Sequence, residues 1–383
     1  MNSGPSLDKL NLENPKDYHI EGLLDTIWDG RGKVVSAQHI PSKTSFAIKI
    51  FDLEKCSEDL DLIQHEAKTL RELRHPNICA ISISLSFGQE AWLLLPHYHC
   101  SAASILTHFP VGLPELALAL IARDVLLGLQ YLHSRCIIHR AVQSRHILIA
   151  DTGRCALSGL RHSIEHRVGS SEGDTLHEYP RYPVPLLNWA SPEMLHQDLR
   201  GYSYSSDVYS LGLTVCELAN AEQPYEGYQP TLMMVEKLKG RVPFLVDASK
   251  PLPDESGDET TSGGSHGSSG GLNMNAGTDD FADKRNAWRD RIFTASAHEF
   301  LRKTLALEAF RRPSVPQLLA SDAFIKQARK AANPSVLDYL QHHKRLPFVT
   351  DNPAVRAAAA ADDLSGQFST VDIDDTSWEF EAS

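Results

Sequence analysis

His139-Arg140-Ala141-Val142-Gln143-Ser144-Arg145-His146, followed by the β-branched run Ile147-Leu148-Ile149, is the stretch that decides how this chain is read. It follows a run of helical period that opens at Pro114-Glu115 and continues through Leu132. Ahead of it lie Phe46-Ala47-Ile48-Lys49, in a strand-like run, and Glu66, in the helical stretch Leu62-Ile63-Gln64-His65-Glu66-Ala67-Lys68. His75-Pro76-Asn77-Ile78 closes that helix. Behind it come Gly159-Leu160-Arg161, Ala190-Ser191-Pro192-Glu193, Ser206-Asp207-Val208-Tyr209-Ser210-Leu211-Gly212 and Arg311-Arg312-Pro313-Ser314. Each match is weak alone; together, in this order between Phe46 and Ser314, they are not a chance set.

The order resembles that of a protein kinase domain. There the loop H-R-D-x-x-x-x-N uses Asp to accept the substrate hydroxyl's proton and Asn to hold a second Mg²⁺. Here those positions hold Ala141, which has no acid–base group, and His146, a poor partner for a cation that prefers oxygen. Where the D-F-G magnesium motif belongs stands Gly159, which cannot ligate a metal. The structural parts remain. Lys49 matches the strand lysine that meets nucleotide phosphates, and Glu66 the helix acid that locks it. Glu193 matches the acid of A-P-E and Arg312 its late arginine partner, which implies a buried ion pair. Asp207 is expected to accept backbone hydrogen bonds from the catalytic loop. The fold expected is α+β, a bilobal protein-kinase-like fold with a small β-rich N-lobe over 18–96 and a larger helical C-lobe over 97–330. A disordered N-terminus, 1–17, precedes it, and a tail, 331–383, follows.

Two readings stay open at the phosphate-covering loop. Trp28-Asp29-Gly30-Arg31-Gly32-Lys33 keeps one G-x-G, Gly30 and Gly32, without a third glycine. This is either an eroded nucleotide cradle or an ordinary hairpin turn using glycine's positive φ. Arg161 has two readings as well, a cation in place of the lost metal or a surface arginine. His177, Glu178 and Tyr179 fall in the activation segment, where they either meet a partner or pack the loop.

Of 383 residues, 42% are hydrophobic, enough for a sizeable core, and the net charge is −12. That charge belongs to two appendages. Residues 251–283 and 357–383 each hold seven acids and no Lys or Arg, so the rest of the chain sums to +2. A nearly neutral body lacks the concentrated basic face that nucleic acid requires. The Gly/Ser-rich stretch from Ser262 to Gly271 makes 251–283 a flexible insertion inside the domain, since the Arg312-Pro313 signature follows it. The polar start Met1-Asn2-Ser3-Gly4-Pro5-Ser6 has no signal-peptide pattern, and no stretch approaches a membrane span. Cys56, Cys79, Cys100, Cys136, Cys155 and Cys216 have no metal-ligand spacing and suit reduced thiols of a cytosolic or nuclear protein. No metal is expected. Near the end, Trp378-Glu379-Phe380 sets two large aromatics among Asp374, Asp375 and Glu381, the pattern of a docking peptide.

With these residues the chain resembles one family, the STRAD pseudokinases, relatives of the Sterile-20 kinases. His146 through Ile149, Leu157 through Arg161, Trp189 through Glu193, Cys216 through Asn220, the insertion and W-E-F carry the resemblance. It implies a protein that does not phosphorylate. Such proteins bind a client Ser/Thr kinase of the liver kinase B type, hold it active and keep it in the cytoplasm, with the nucleus as second compartment. A helical-repeat scaffold of the calcium-binding protein 39 family docks W-E-F and completes a heterotrimer. Lys49 and Glu66 could still clamp ATP as a structural ligand without Mg²⁺. In the family W-E-F ends the chain, whereas here Glu381-Ala382-Ser383 follow. Two alternatives differ in class. An atypical active kinase needs a displaced acid such as Asp151, and a general signalling scaffold needs no kinase client.

Overall fold

The computed structural model describes residues 12–27, 31–166, 175–180, 184–197, 199–249, 288, 290–331 and 335–343. Gly30, the core of the insertion and Trp378-Glu379-Phe380 lie outside the described residues. The chain divides into two compact units at His99/Cys100.

Within the first unit, β1 (Tyr18–Ile27), β2 (Gly32–His39), β3 (Thr44–Asp52), β4 (Ile83–Phe87) and β5 (Glu90–Pro96) form one antiparallel sheet in the order β1-β2-β3-β5-β4. Strand period sorts β3. Phe46, Ile48 and Ile50 are buried on one face with Val35, Ala37, Trp92 and Leu94, which turns Lys49 to the other face. There α1 (Leu60–Glu72) buries Ile63, Glu66, Ala67 and Leu70, the spacing of one helix face. Gly32 opens β2 opposite Ile27 and Phe51, and a Cβ on it would stand 3.1 Å from the Ile50 carbonyl and from Phe51 Cδ1. The strand therefore packs closely at this position. The disordered start expected over 1–17 does not hold to its end. Leu12 is buried, its carbonyl accepts the Tyr18 hydroxyl at 2.8 Å, and Pro15–Asp17 forms a 3₁₀ turn.

The second unit is mainly helical. α2 (Ala102–Ile105) and α3 (Glu115–Ser134) come first, then α4 (Pro192–His196), α5 (Ser205–Asn220) and α6 (Pro230–Leu238). After these come α7 (Ala295–Thr304), α8 (Val315–Ser321), α9 (Ala323–Lys330) and α10 (Val336–His343). Two small sheets join them. β6 (Cys100–Ser101), β8 (Ile147–Ile149) and β9 (Cys155–Leu157) make one; β7 (Ile137–Ile138) and β10 (Ile164–Glu165) make the other. One expectation is corrected at α3, which is long and apolar enough by composition to cross a membrane. In this fold 67% of the qualifying window is buried, and α3 packs against α5, α8 and α9 as a core helix.

Arg312 and Glu193 meet as a bidentate pair, Nη1–Oε1 2.7 Å and Nη2–Oε2 2.8 Å, with both side chains almost wholly buried. Arg312 also donates to the carbonyls of Ala306, Ser205 and Leu307 and lies 4.7 Å from the centre of the Tyr209 ring. The arginine therefore joins the α4 region to the start of α5 and the α7–α8 connection. Arg312→Met leaves a buried carboxylate and several carbonyls without donors. We expect it to lower stability by about 3–5 kcal/mol, read as a fall in the calorimetric melting temperature. A melting temperature within experimental error of wild type would contradict this account.

Candidate functional site

The loop from His139 to His146 is built against one acid. Asp207, in the first turn of α5, accepts the amides of His139 and Arg140 at 2.9 and 2.8 Å, and His133 Nε2 at 2.9 Å. Burial alone would push this carboxyl up. The hydrogen bond and charge of His133, with the field and amide of His139, outweigh that and hold it below the ordinary range. The amide bonds fix the two residues that turn the chain, and Arg140 adopts φ 63°, in the left-handed region that costs most residues strain.

His139 then organises the loop around itself. Its Nε2 donates to the Ser158 carbonyl at 2.9 Å, which leaves Nδ1 to accept the Ala141 amide at 3.2 Å. Ala141 is buried and presents a methyl group. The His146 imidazole bonds through Nδ1 to the Ala141 carbonyl at 2.7 Å, with the Gln143 amide 3.2 Å from Nε2. The backbone amide of Ser158 donates to the His146 carbonyl at 2.7 Å. Gly159 follows at φ 81°, and a Cβ built on it would lie 2.6 Å from His146 Cγ. The imidazole thus fills the space that any side chain at 159 would need. A methyl, an imidazole and a hydrogen make a donor set that does not fit a hard divalent cation. Arg161 sits half-buried in the 3₁₀ turn Leu160–His162. Asp151 is exposed in the turn between β8 and β9.

In the first unit Lys49 Nζ lies 2.6 Å from Glu66 Oε1, with the acid's side chain 2% exposed. The Cys79 thiol is buried beside this pair, and burial pushes it up to about 12 against the pull of Lys49. Hydrogen-bonded to Tyr98, it acts as packing and not as a nucleophile.

Around residues 175–180 and 184–190 the structure brings together groups the sequence did not single out. Arg140 donates to the carbonyls of His162, Ser163 and Glu178 and to the Tyr202 hydroxyl. Glu217, buried on α5, accepts the hydroxyl of Ser144 and the indole N–H of Trp189. Burial pushes its carboxyl up to about 7, against those donors. Lys237, buried on α6, donates to the carbonyls of Leu187, Asn188 and Ala190. A polar residue inside an apolar helical stretch was the available signal for both. His177 and Tyr179 part company. His177 is exposed, whereas Tyr179 packs on Tyr202, ring centres 5.4 Å apart, in a cluster with Ile138 and Met194.

The protein kinase domain family matches residues 29–324, an antiparallel-sheet region followed by a helical region, which makes this a kinase-like α+β fold. The human STE20-related kinase adapter protein alpha is 33% identical over 309 residues, covering 80% of this chain and 72% of that protein. The bovine alpha protein is 32% identical over 309 residues, 80% and 83% covered. The human beta protein is 30% identical over 372 residues, 96% and 87% covered. This chain belongs to the STE20-related kinase adapter family.

The His146–Gly159 contact has a measurable consequence. Gly159→Asp, which puts the motif acid back, forces its Cβ into the imidazole and should cost about 1–3 kcal/mol in urea denaturation. Adding His146→Ala should recover most of that loss. If Gly159→Asp alone is as stable as wild type, the ring does not hold this space.

Proposed function

We propose that this chain is a non-catalytic adapter. It binds a client Ser/Thr kinase of the liver kinase B type and, with a helical-repeat scaffold of the calcium-binding protein 39 family, holds that client active in the cytoplasm. One observation carries the reading. The frame around Asp207 and His139 is intact, while Ala141 offers no acid–base group and His146 and Gly159 pack against each other without the oxygen donors a hard cation prefers. A frame without its chemistry has a use if its surface, not its cleft, is the working part. The names of the relatives support an adapter, and the client, the scaffold and the retention come from the family resemblance.

In this reading the exposed His177 meets the client, and Tyr179 shapes the segment from below. Trp378 and Phe380 anchor the tail in the scaffold. Lys49, held by Glu66, binds ATP as a structural ligand without Mg²⁺. A client kinase is switched on when a partner selects its working arrangement, which needs differential affinity and no phosphotransfer from the adapter.

Two assays test this. The purified chain with labelled ATP, Mg²⁺ or Mn²⁺ and generic protein substrates should show no incorporation above background. Incorporation that Lys49→Met abolishes would reject the adapter reading, because loss of a general base alone costs about 10²–10⁴ in rate. In the second, a purified liver kinase B type kinase is assayed with the scaffold, with and without this chain. Activity should rise only when the chain is present, and His177→Ala should weaken client binding without changing the melting temperature. Trp378→Ala with Phe380→Ala should remove scaffold binding from an otherwise stable protein. A client equally active in all mixtures would sink the proposal.

A further inference from the structure

Residues 244–249 and 290–298 are two legs of chain that meet beside the end of α5, with 250–289 between them in sequence. Asn220 holds the first leg, its Oδ1 accepting the Val246 amide at 3.1 Å and its Nδ2 donating to the Phe244 carbonyl at 2.8 Å. Arg291 joins the second leg to the first. Its Nε donates to the Val246 carbonyl at 2.8 Å, and its own carbonyl accepts the Ala248 amide at 2.9 Å. The guanidinium also donates to the carbonyls of Val111 and Ala219 and to Asn220 Oδ1, with the centre of the Phe293 ring 4.7 Å away. Asp247 has no exposed surface. One of its oxygens accepts the Ser249 amide and hydroxyl at 2.9 and 2.6 Å, and the other accepts the Phe293 amide at 2.8 Å and His298 Nε2 at 3.0 Å. Glu115, which opens α3, takes the amide and hydroxyl of Thr294, where α7 begins.

Each leg thus supplies partners to the other. Burial would push the Asp247 carboxyl up, but the Ser249 hydroxyl, the Phe293 amide and His298 outweigh it and hold it below the ordinary range. A buried carboxylate kept ionised must keep its donors, and charge-assisted bonds are stronger than neutral ones. A connection as long in sequence as 250–289 constrains its two ends little, whereas bonds between the legs constrain them directly. We propose that residues 244–249 and 290–298 form a self-sufficient stem, with Asp247 and Arg291 as its positioning residues, so that the chain between the legs can be bound or cut without moving the helices it interrupts. The stem does not rest on the adapter reading.

Hydrogen–deuterium exchange on the full-length chain, before and after a single cut, tests the stem. A site-specific protease sequence replaces Gly264–Gly270, and the amides to watch are Val246, Ala248, Ser249 and Phe293. Peptides over 244–249 and 290–296 should exchange at the same rate, within experimental error, in the cut and uncut proteins. Asp247→Asn, which keeps the shape and removes the charge, should speed exchange over both legs by about tenfold, as one lost charge-assisted hydrogen bond predicts, and leave α3 as it was. In that variant the cut should speed exchange further, because the covalent connection then holds what the stem no longer holds. Arg291→Lys should keep part of the protection that Arg291→Met loses. A cut that accelerates either leg of the otherwise unchanged chain overturns the proposal. So do legs that Asp247→Asn leaves as they were, or acceleration that spreads equally to α3. If Asp247→Asn does not fold, His298→Phe, which removes one donor to the carboxylate, is read by the same outcomes over 290–296.

Discussion

Asp207 has no exposed surface, and its two carboxylate oxygens meet the amides of His139 and Arg140 and the ring of His133. A carboxylate in that position is held ionised by its donors, and removing it would leave two buried amides with nothing to accept them. Everything downstream depends on this contact. It sets Arg140 in a left-handed conformation, which aims the guanidinium at residues 162, 163 and 178. It also seats His139 against the Ser158 carbonyl, which fixes the strand leading to Gly159.

Loss of the chemical groups has not left a hole. Protein interiors are close-packed, and vacated space is filled or costs stability. At the two metal positions the larger replacement covers the smaller, the His146 ring lying where a side chain on Gly159 would stand. A side chain could not return at Gly159 without moving the His146 ring.

Buried charge in the second unit has a structural use in each case described. Arg312 ties Glu193 to the start of α5 and to the α7–α8 connection, Arg140 and Lys237 hold carbonyls, and Glu217 gathers Ser144 and Trp189. None of these contacts needs a ligand to be complete. In the first unit Lys49 and Glu66 satisfy each other, and Cys79 and Tyr98 close the space beside them.

The sequence by itself determined the order of elements, because apolar period, β-branched runs and the ordered motifs depend on spacing along the chain. β3, α1 and α3 fall where the pattern places them, and the ion pair of Glu193 with Arg312 was legible from two motifs 119 positions apart. The chemical losses at Ala141, His146 and Gly159 were legible too, since a missing functional group is a property of the residue. Only tertiary structure decided how those residues are used. That His146 covers Gly159, that Gly32 packs closely against Phe51, and that Tyr179 packs inward while His177 faces out depend on distances between segments. The same holds for Lys237 and Glu217. A charged residue in an amphipathic helix reads as a solvated one until the fold shows it buried, with its partners supplied by loops far away in sequence.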